Sequence, residues 1–328
     1  MNLQAERVKQ NLIGGIFPAV PIPFTQRGEI DTVAQESYIK YMKTQPVSGF
    51  AVWAHTGRGL LIEDETKKYI MSSWRKAFPD KMIIAGAGAS VNECANSLNP
   101  ELEYINRSVK MAQLAKDLGA DAILAYAPVM FRGDKDANRK IIEYHKQIID
   151  VGLPVILFYL YEEAGGVSYT LDVLNELLSM DEVVGVKMAT LDSVATYQEI
   201  SALIERNFPG KVLITGEDRF FGYTVMRGAK AALVGVGSAC TTLQKNMMSS
   251  YYDGDYKEFI DLSRKVDKLA ECTFTAPMEG YIKRMLVVLN LLGVLPDTGI
   301  YDPFGPFCEL ESDEVKKIES ILKEIGEI

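Results

Sequence analysis

With 328 residues, 48% of them hydrophobic and 24% charged, the chain has an ordinary globular composition able to bury a sizeable core. A net charge of −9, from 35 basic and 44 acidic residues, argues against a polyanion-binding surface, and no zinc-finger, RNP or helix-turn-helix pattern is present, so nucleic acid is not an expected partner. Four cysteines without a CxxC pair, and no secretory or membrane-spanning segment, point to reduced thiols in a cytoplasmic protein. Two histidines without an HExxH or DxD-type run argue against a metal centre, and Gly86-Ala87-Gly88 lacks the third glycine of a dinucleotide fingerprint.

From the N-terminus, a polar stretch leads into an apolar run from Ile13 to Phe24 that is broken by two glycines and three prolines. Short runs rich in Val, Ile and Ala are read as strands at Ile16–Pro21, Gly49–Trp53, Met82–Gly86, Ala122–Tyr126, Val155–Tyr159, Val183–Met188, Val212–Thr215 and Ala232–Val236. They are apolar throughout rather than alternating, as expected when both faces of a parallel sheet are covered. Amphipathic stretches near 31–45, 64–78, 101–118, 135–150, 170–180, 191–207 and 219–227 are read as helices. Several open on capping signals: Asp31, Glu63-Asp64-Glu65 and Ser168-Tyr169-Thr170.

Eight β-then-α units favour a (β/α)8 TIM barrel over a doubly wound open sheet. Residues 1–238 would form the barrel core. Residues 239–328 would supply the last barrel helix and a C-terminal helical extension, with helical patterns near 240–252, 255–272, 277–292 and 312–326. The proline-rich segment Leu295–Phe307 reads as an extended connector.

Lys187 is the one charged residue in Val183-Val184-Gly185-Val186-Lys187-Met188-Ala189-Thr190. A side-chain period of two puts Val183, Gly185, Lys187 and Ala189 on one face, where two small neighbours leave room for the amine. Buried there, near the C-terminal strand end, desolvation would lower its pKa and make it a nucleophile toward a carbonyl. The other open reading is a strand-end lysine that reaches solvent or pairs with a carboxylate.

The chain resembles the dihydrodipicolinate synthase / N-acetylneuraminate lyase family of class I aldolases, from about Gly14 to about Glu309. The resemblance is carried by Gly15–Phe24, by Ala54-His55-Thr56-Gly57-Arg58-Gly59, by Gly119–Leu124 with Ala127-Pro128, and by Leu153–Leu157. Gly185–Thr190, Thr215-Gly216-Glu217-Asp218 and Gly235-Val236-Gly237-Ser238 continue it in order. It implies that Lys187 forms a Schiff base, with no metal or dissociable cofactor, and that Thr56 and the Gly57 amide bind the carboxylate of a small 2-oxo acid. It also implies a homo-oligomer, a homotetramer or homodimer. Gly216, Asp218, Gly237 and Ser238 look like the sugar-acid branch, where polar groups bind substrate hydroxyls; for Asp218 and Ser238 a helix N-cap role is equally open.

The sequence departs from this pattern where the family has its proton-moving tyrosine: Phe158 stands there, with Tyr159 beside it but on the opposite face unless a bulge intervenes. Tyr126, Tyr159 and Tyr161 belong to the same region. His55 could take over the acid/base work or merely shape the pocket. Arg58, in place of the family's glutamate, either holds a carboxylate or forms a surface ion pair. Glu162-Glu163 replace the arginine that binds a second carboxylate, and Val129-Met130 replace a tyrosine pair, which argues against a dihydrodipicolinate synthase. His145 reads as a surface residue. The expected function is a Schiff-base lyase, an aldolase or dehydratase of a small 2-oxo acid or 2-oxo-3-deoxy sugar acid. The alternatives are a cyclic imino acid deaminase and a catalytically degenerate barrel that binds 2-oxo acids.

Overall fold

The computed structural model describes residues 2–328. Its elements run α1 (Leu3–Leu12), α2 (Thr32–Met42), β1 (Gly49–Val52), α3 (Asp64–Ala77), β2 (Met82–Ala87), α4 (Val91–Cys94), α5 (Pro100–Asp117), β3 (Ala122–Ala125), α6 (Ala137–Ile149) and β4 (Val155–Leu160). They continue with α7 (Leu171–Leu178), β5 (Val183–Ala189), α8 (Val194–Asn207), β6 (Val212–Thr215), α9 (Phe221–Met226) and β7 (Ala231–Ala232). Four more helices follow: α10 (Thr241–Tyr252), α11 (Tyr256–Thr273), α12 (Tyr281–Leu291) and α13 (Ser312–Ile325). The seven strands form one parallel sheet in sequence order, β1 to β7.

Strand alternation sorts the core into two layers. Ile84, Leu124, Ile156, Phe158, Ile214 and Leu233 pack on the inner face of the sheet. Ile83, Ile123, Leu157, Val186, Met188 and Leu213 pack outward against the helices. Both faces are covered, which is why the strands read as unbroken apolar runs.

The stretch expected as a first strand, Ile16–Pro21, forms bridges rather than a regular strand. Ile16 pairs with Ala232 and Ala19 with Ala51, both parallel. Phe17 N donates to Ala232 O at 2.8 Å and Ala19 N to Val234 O at 3.1 Å, while Ala51 N donates to Pro18 O at 2.9 Å and Val20 N to Ala51 O at 3.1 Å. The segment thus bonds to both edges of the sheet, and Pro18 and Pro21, lacking N–H groups, interrupt its ladder. The expected strand Ala232–Val236 is likewise short, because the backbone turns into a 3-10 helix at Val236–Ser238.

Helix α1 was not expected from the polar N-terminus. Asn2 caps it, its side-chain oxygen accepting from Gln4 N and Ala5 N at 3.1 Å each. Ala5, Val8 and Leu12 join the inner layer beside Met82, Ala122 and Val212 at the strand starts. Asp31 and Thr170 cap their helices as expected, accepting from Ala34 N and Val173 N.

His145 is buried, not at the surface. Its Nδ1–H donates to Ile141 O at 2.8 Å, which leaves Nε2 to accept from the Tyr169 hydroxyl at 3.1 Å. Tyr169 in turn accepts from Ala127 N at 3.0 Å, so the pair ties α6 to the end of β3. Burial pulls the imidazole down to about 4, against the backbone hydrogen bonds that favour its charged form. Between pH 6.5 and 4 the unfolded chain therefore binds the extra proton, and stability falls as pH falls through that window, by about 3 kcal/mol at its acid end. In urea unfolding at pH 7 and pH 4.5, His145→Gln is expected to show a smaller acid-induced loss than the wild type. Equal losses would assign the acid sensitivity to other groups.

Candidate active site

Strand β5 carries a local irregularity that sets which side chains face inward. Val155 pairs with Val183 but Ile156 with Gly185, so Val184 is an extra residue. Val183 consequently falls to the outer layer, a departure from the simple alternation read from the sequence. Gly185, Lys187 and Ala189 keep their shared face, and Lys187 lies in register with Phe158 on β4 and Ile214 on β6.

Lys187 is 6% exposed, and its Nζ rests 4.0 Å above the centre of the Phe158 ring. The solvent-reaching and ion-paired readings both give way to a buried amine. Burial pulls it down to about 8, while Asp218 and Glu217 oppose the shift through space rather than by a hydrogen bond. Gly216 makes room for the lysine stem: a Cβ there would lie 2.4 Å from Lys187 Cε and 2.8 Å from Met188 O. Gly216→Ala is therefore expected to displace the Lys187 stem and, were the amine to take up a carbonyl, to slow that step by on the order of 100-fold. Borohydride trapping rates would check it, and an unchanged rate would show that the lysine can relocate.

Both acids are buried and raised. Glu217 accepts from Thr190 N at 2.7 Å, Thr190 Oγ1 at 2.9 Å and Leu191 N at 2.8 Å, so it fixes the chain leaving β5. Its burial still lifts it to about 7. Asp218 accepts from Val236 N at 2.7 Å and is pushed up by desolvation, with the neighbouring Lys187 working against that rise. Its bond is thus to the first N–H of the 3-10 helix after β7, and not to the helix α9 that follows it in sequence. Ser238 does not cap a helix either: it is fully buried, its carbonyl accepts from the Tyr38 hydroxyl at 2.8 Å, and its own Oγ has no partner. Gly237, in the same turn, is packed close to Val234, Gln244 and Pro18.

A second cluster lies over the strand ends. His55 Nε2 meets Glu279 Oε1 at 2.8 Å and Oε2 at 3.1 Å, and its ring stacks on Tyr281 at 6.2 Å. The Tyr161 hydroxyl donates to Glu279 Oε1 at 2.7 Å. Burial alone would raise Glu279, but hydrogen bonds from His55 and Tyr161 and the charges of His55 and Arg58 hold it well below the usual carboxylate range. Arg58 is buried and serves protein carboxylates. Its Nη2 and Nε reach Asp302 at 2.7 and 3.2 Å, and its Nη1 reaches Glu279 at 2.9 Å. Thr56 Oγ1 lies 2.9 Å from the Tyr281 hydroxyl. The Gly57 amide, expected to face a carboxylate, instead donates to Ala54 O at 3.0 Å within a turn.

A cavity of about 520 Å³ opens between these groups, walled in part by His55, Arg58, Tyr126, Phe158, Glu163 and Glu279. That volume lies in the range of small-molecule sites, roughly 300–1,000 Å³. Lys187 does not line it, but the Phe158 ring under its amine does. Tyr159 is not brought to the lysine: it pairs with Met188 and packs in the outer layer, 5.8 Å from the Tyr169 ring. The β5 irregularity precedes it and leaves Phe158, not Tyr159, facing inward. Glu279 and Tyr281 gave no signal in the sequence, since only folding brings them across more than two hundred residues to His55 and Thr56.

The fold and site together define an α/β protein with a buried lysine at the C-terminal end of a parallel strand. The dihydrodipicolinate synthetase family model matches residues 12–325, and the chain belongs to that family. Solved structures of similar fold include dihydrodipicolinate synthase from Thermotoga maritima, 20% identical with a TM-score of 0.81, covering 97% of this chain and 100% of that one. N-acetylneuraminate lyase from Mycoplasma synoviae is 24% identical with a TM-score of 0.75, covering 96% and 98%. A dihydrodipicolinic acid synthase family prophage protein from E. coli K12, determined with pyruvate, is 19% identical with a TM-score of 0.80, covering 96% and 99%.

Proposed function

We propose that this protein is a class I aldolase-type lyase in which Lys187 forms an imine with the C2 carbonyl of a small 2-oxo acid. The observation that carries the reading is the Lys187 amine, held beside Asp218 and Glu217 and brought down to about 8 by burial. A neutral amine is the attacking species, and a value near working pH supplies it. A turn of the Phe158 ring would join the amine to the cavity. The protonated imine then withdraws electrons from C3, which stabilises the carbanion formed there when a C3–H or C3–C4 bond breaks.

His55, oriented by Glu279, is the proposed general base, because a carboxylate on Nε2 favours the tautomer whose Nδ1 accepts a proton. Thr56, with Tyr281 behind it, is the proposed contact for the substrate carboxylate. Lyase neighbours in the fold comparison, and one determined with pyruvate, support this reading. So does Glu163 on the cavity wall, whose carboxylate disfavours the dicarboxylate of a dihydrodipicolinate synthase, while Glu162 beside it is paired with Arg132. The bridges of residues 16 and 19 to both sheet edges support closure as a (β/α)8 barrel, with the helices after α10 as its extension. A cytoplasmic homodimer or homotetramer is the assembly we favour, on family membership.

The test is borohydride reduction with pyruvate, read by intact-protein and peptide mass spectrometry. A reduced pyruvyl adduct on the Lys187 peptide is the expected result. Absence of any adduct, with pyruvate and with longer 2-oxo acids, would remove the imine mechanism.

A further inference from the structure

The cavity that ends on Phe158 is walled largely by apolar side chains, including Trp53, Leu60, Val91, Val129 and Phe304. Its charged lining groups are Arg58, Glu163 and Glu279, joined by the His55 imidazole and by the Tyr126 phenol, which burial pushes up to about 12. Arg58 is the one permanent cation among them, and it is already committed. Its Nε and Nη2 grip Asp302 and its Nη1 holds Glu279. His55 faces Glu279 as well. Glu163, at the exposed mouth, has no hydrogen-bond or ion-pair partner among the described residues. The carboxylates of Glu163, Glu279 and Asp302 thus outnumber the one guanidinium. A negatively charged group at the outer end of a substrate would find no free cation and would meet Glu163.

We infer that the carbonyl compound this site joins to pyruvate, or releases from it, is an uncharged aldehyde with an apolar body, aromatic or branched aliphatic. The inference rests on the imine reading above and names the second substrate of that site. In the cleavage direction the 4-hydroxyl of the Lys187-bound 2-oxo acid gives its proton to a base, and its oxygen electrons form the aldehyde C=O. The C3–C4 bond breaks, its electron pair passing into the iminium to give an enamine. A proton then adds at C3, and water hydrolyses the imine to pyruvate and the free amine, so no oxidant or further reactant is needed. Leu60, Val129 and Phe304 remove the aldehyde's apolar body from water. The absence of an anion partner supplies the selectivity against acids.

Two aromatic aldehydes that differ by a para carboxylate test the charge, and Glu163→Arg separates that charge from the added bulk. With pyruvate as donor, benzaldehyde is expected to exceed 4-carboxybenzaldehyde in kcat/KM by about tenfold or more. Acetaldehyde tests the apolar body, and it too should fall behind benzaldehyde. Glu163→Arg is expected to narrow the benzaldehyde to 4-carboxybenzaldehyde ratio about tenfold. A pyruvyl adduct on Lys187 together with equal or better use of 4-carboxybenzaldehyde would overturn the aldehyde class and leave the imine reading standing. Failure to trap pyruvate at all would overturn both.

Discussion

Replacing Lys187 with alanine is expected to abolish adduct formation and to lower turnover by on the order of 1,000-fold or more, because no other group can take the covalent step. Lys187→Arg should lose as much: a guanidinium stays charged and offers no free pair to a carbonyl. The wild-type trapping rate should rise with pH through about 8, the value to which burial brings the amine, rather than near its ordinary 10.5. Asp218→Asn removes an opposing charge but keeps an acceptor for Val236 N, so the midpoint should move lower still. Stability gives an independent check. Between about pH 8 and 10.5 the unfolded chain holds a proton the folded amine has shed, so folding gains stability as pH rises through that window. Lys187→Met should lack that rise. Trapping retained in the alanine variant, on any other lysine, would defeat the assignment of Lys187.

How this site could be read from the sequence varies residue by residue, and the reasons are physical. Lys187 stood out because a lone charge within an apolar strand has few uses, and a strand's period of two places it on a face without further information. The helices were legible from their apolar stripes and from caps such as Asp31, whose side chain acts within three residues. Local signals of this sort stop where contacts become long-range. Tyr159 and Phe158 are adjacent, and only the register at Ile156, set by pairing with another strand, decides which one faces the lysine. Pro18 and Pro21 were visible, but their effect on the ladder depends on which N–H groups the neighbours need. The polar N-terminus gave no helix reading, because only Ala5, Val8 and Leu12 of α1 are buried. His145 sits in a charged helix, yet the face it occupies is the one packed on Tyr169. Glu279 is the sharpest case, since nothing in the Met278–Gly280 turn marks it as the partner of His55, Tyr161 and Arg58 together.

Arg58 shows what that long-range cluster does for the fold. Arg58 and Asp302 are both nearly buried, 6% and 5% exposed. Asp302 lies in the connector between α12 and α13, which Lys283 also holds by donating to Ile300 O at 2.8 Å. Removing one member of a buried pair leaves the other without its counter-charge, so Arg58→Met is expected to destabilise the protein by about 3–5 kcal/mol. The double variant Arg58→Met/Asp302→Leu should recover much of that loss, because neither member of the most buried pair then remains, while Glu279 loses Arg58 but keeps His55 and Tyr161. Urea unfolding of the two variants measures the difference. The single variant should also free the connector, read as faster amide exchange at residues 299–305, and should weaken the hold on Glu279 and so on His55. Turnover would then fall further than trapping by Lys187, which lies outside this cluster. A double variant as unstable as the single one would mean that Arg58 stabilises by packing rather than by charge.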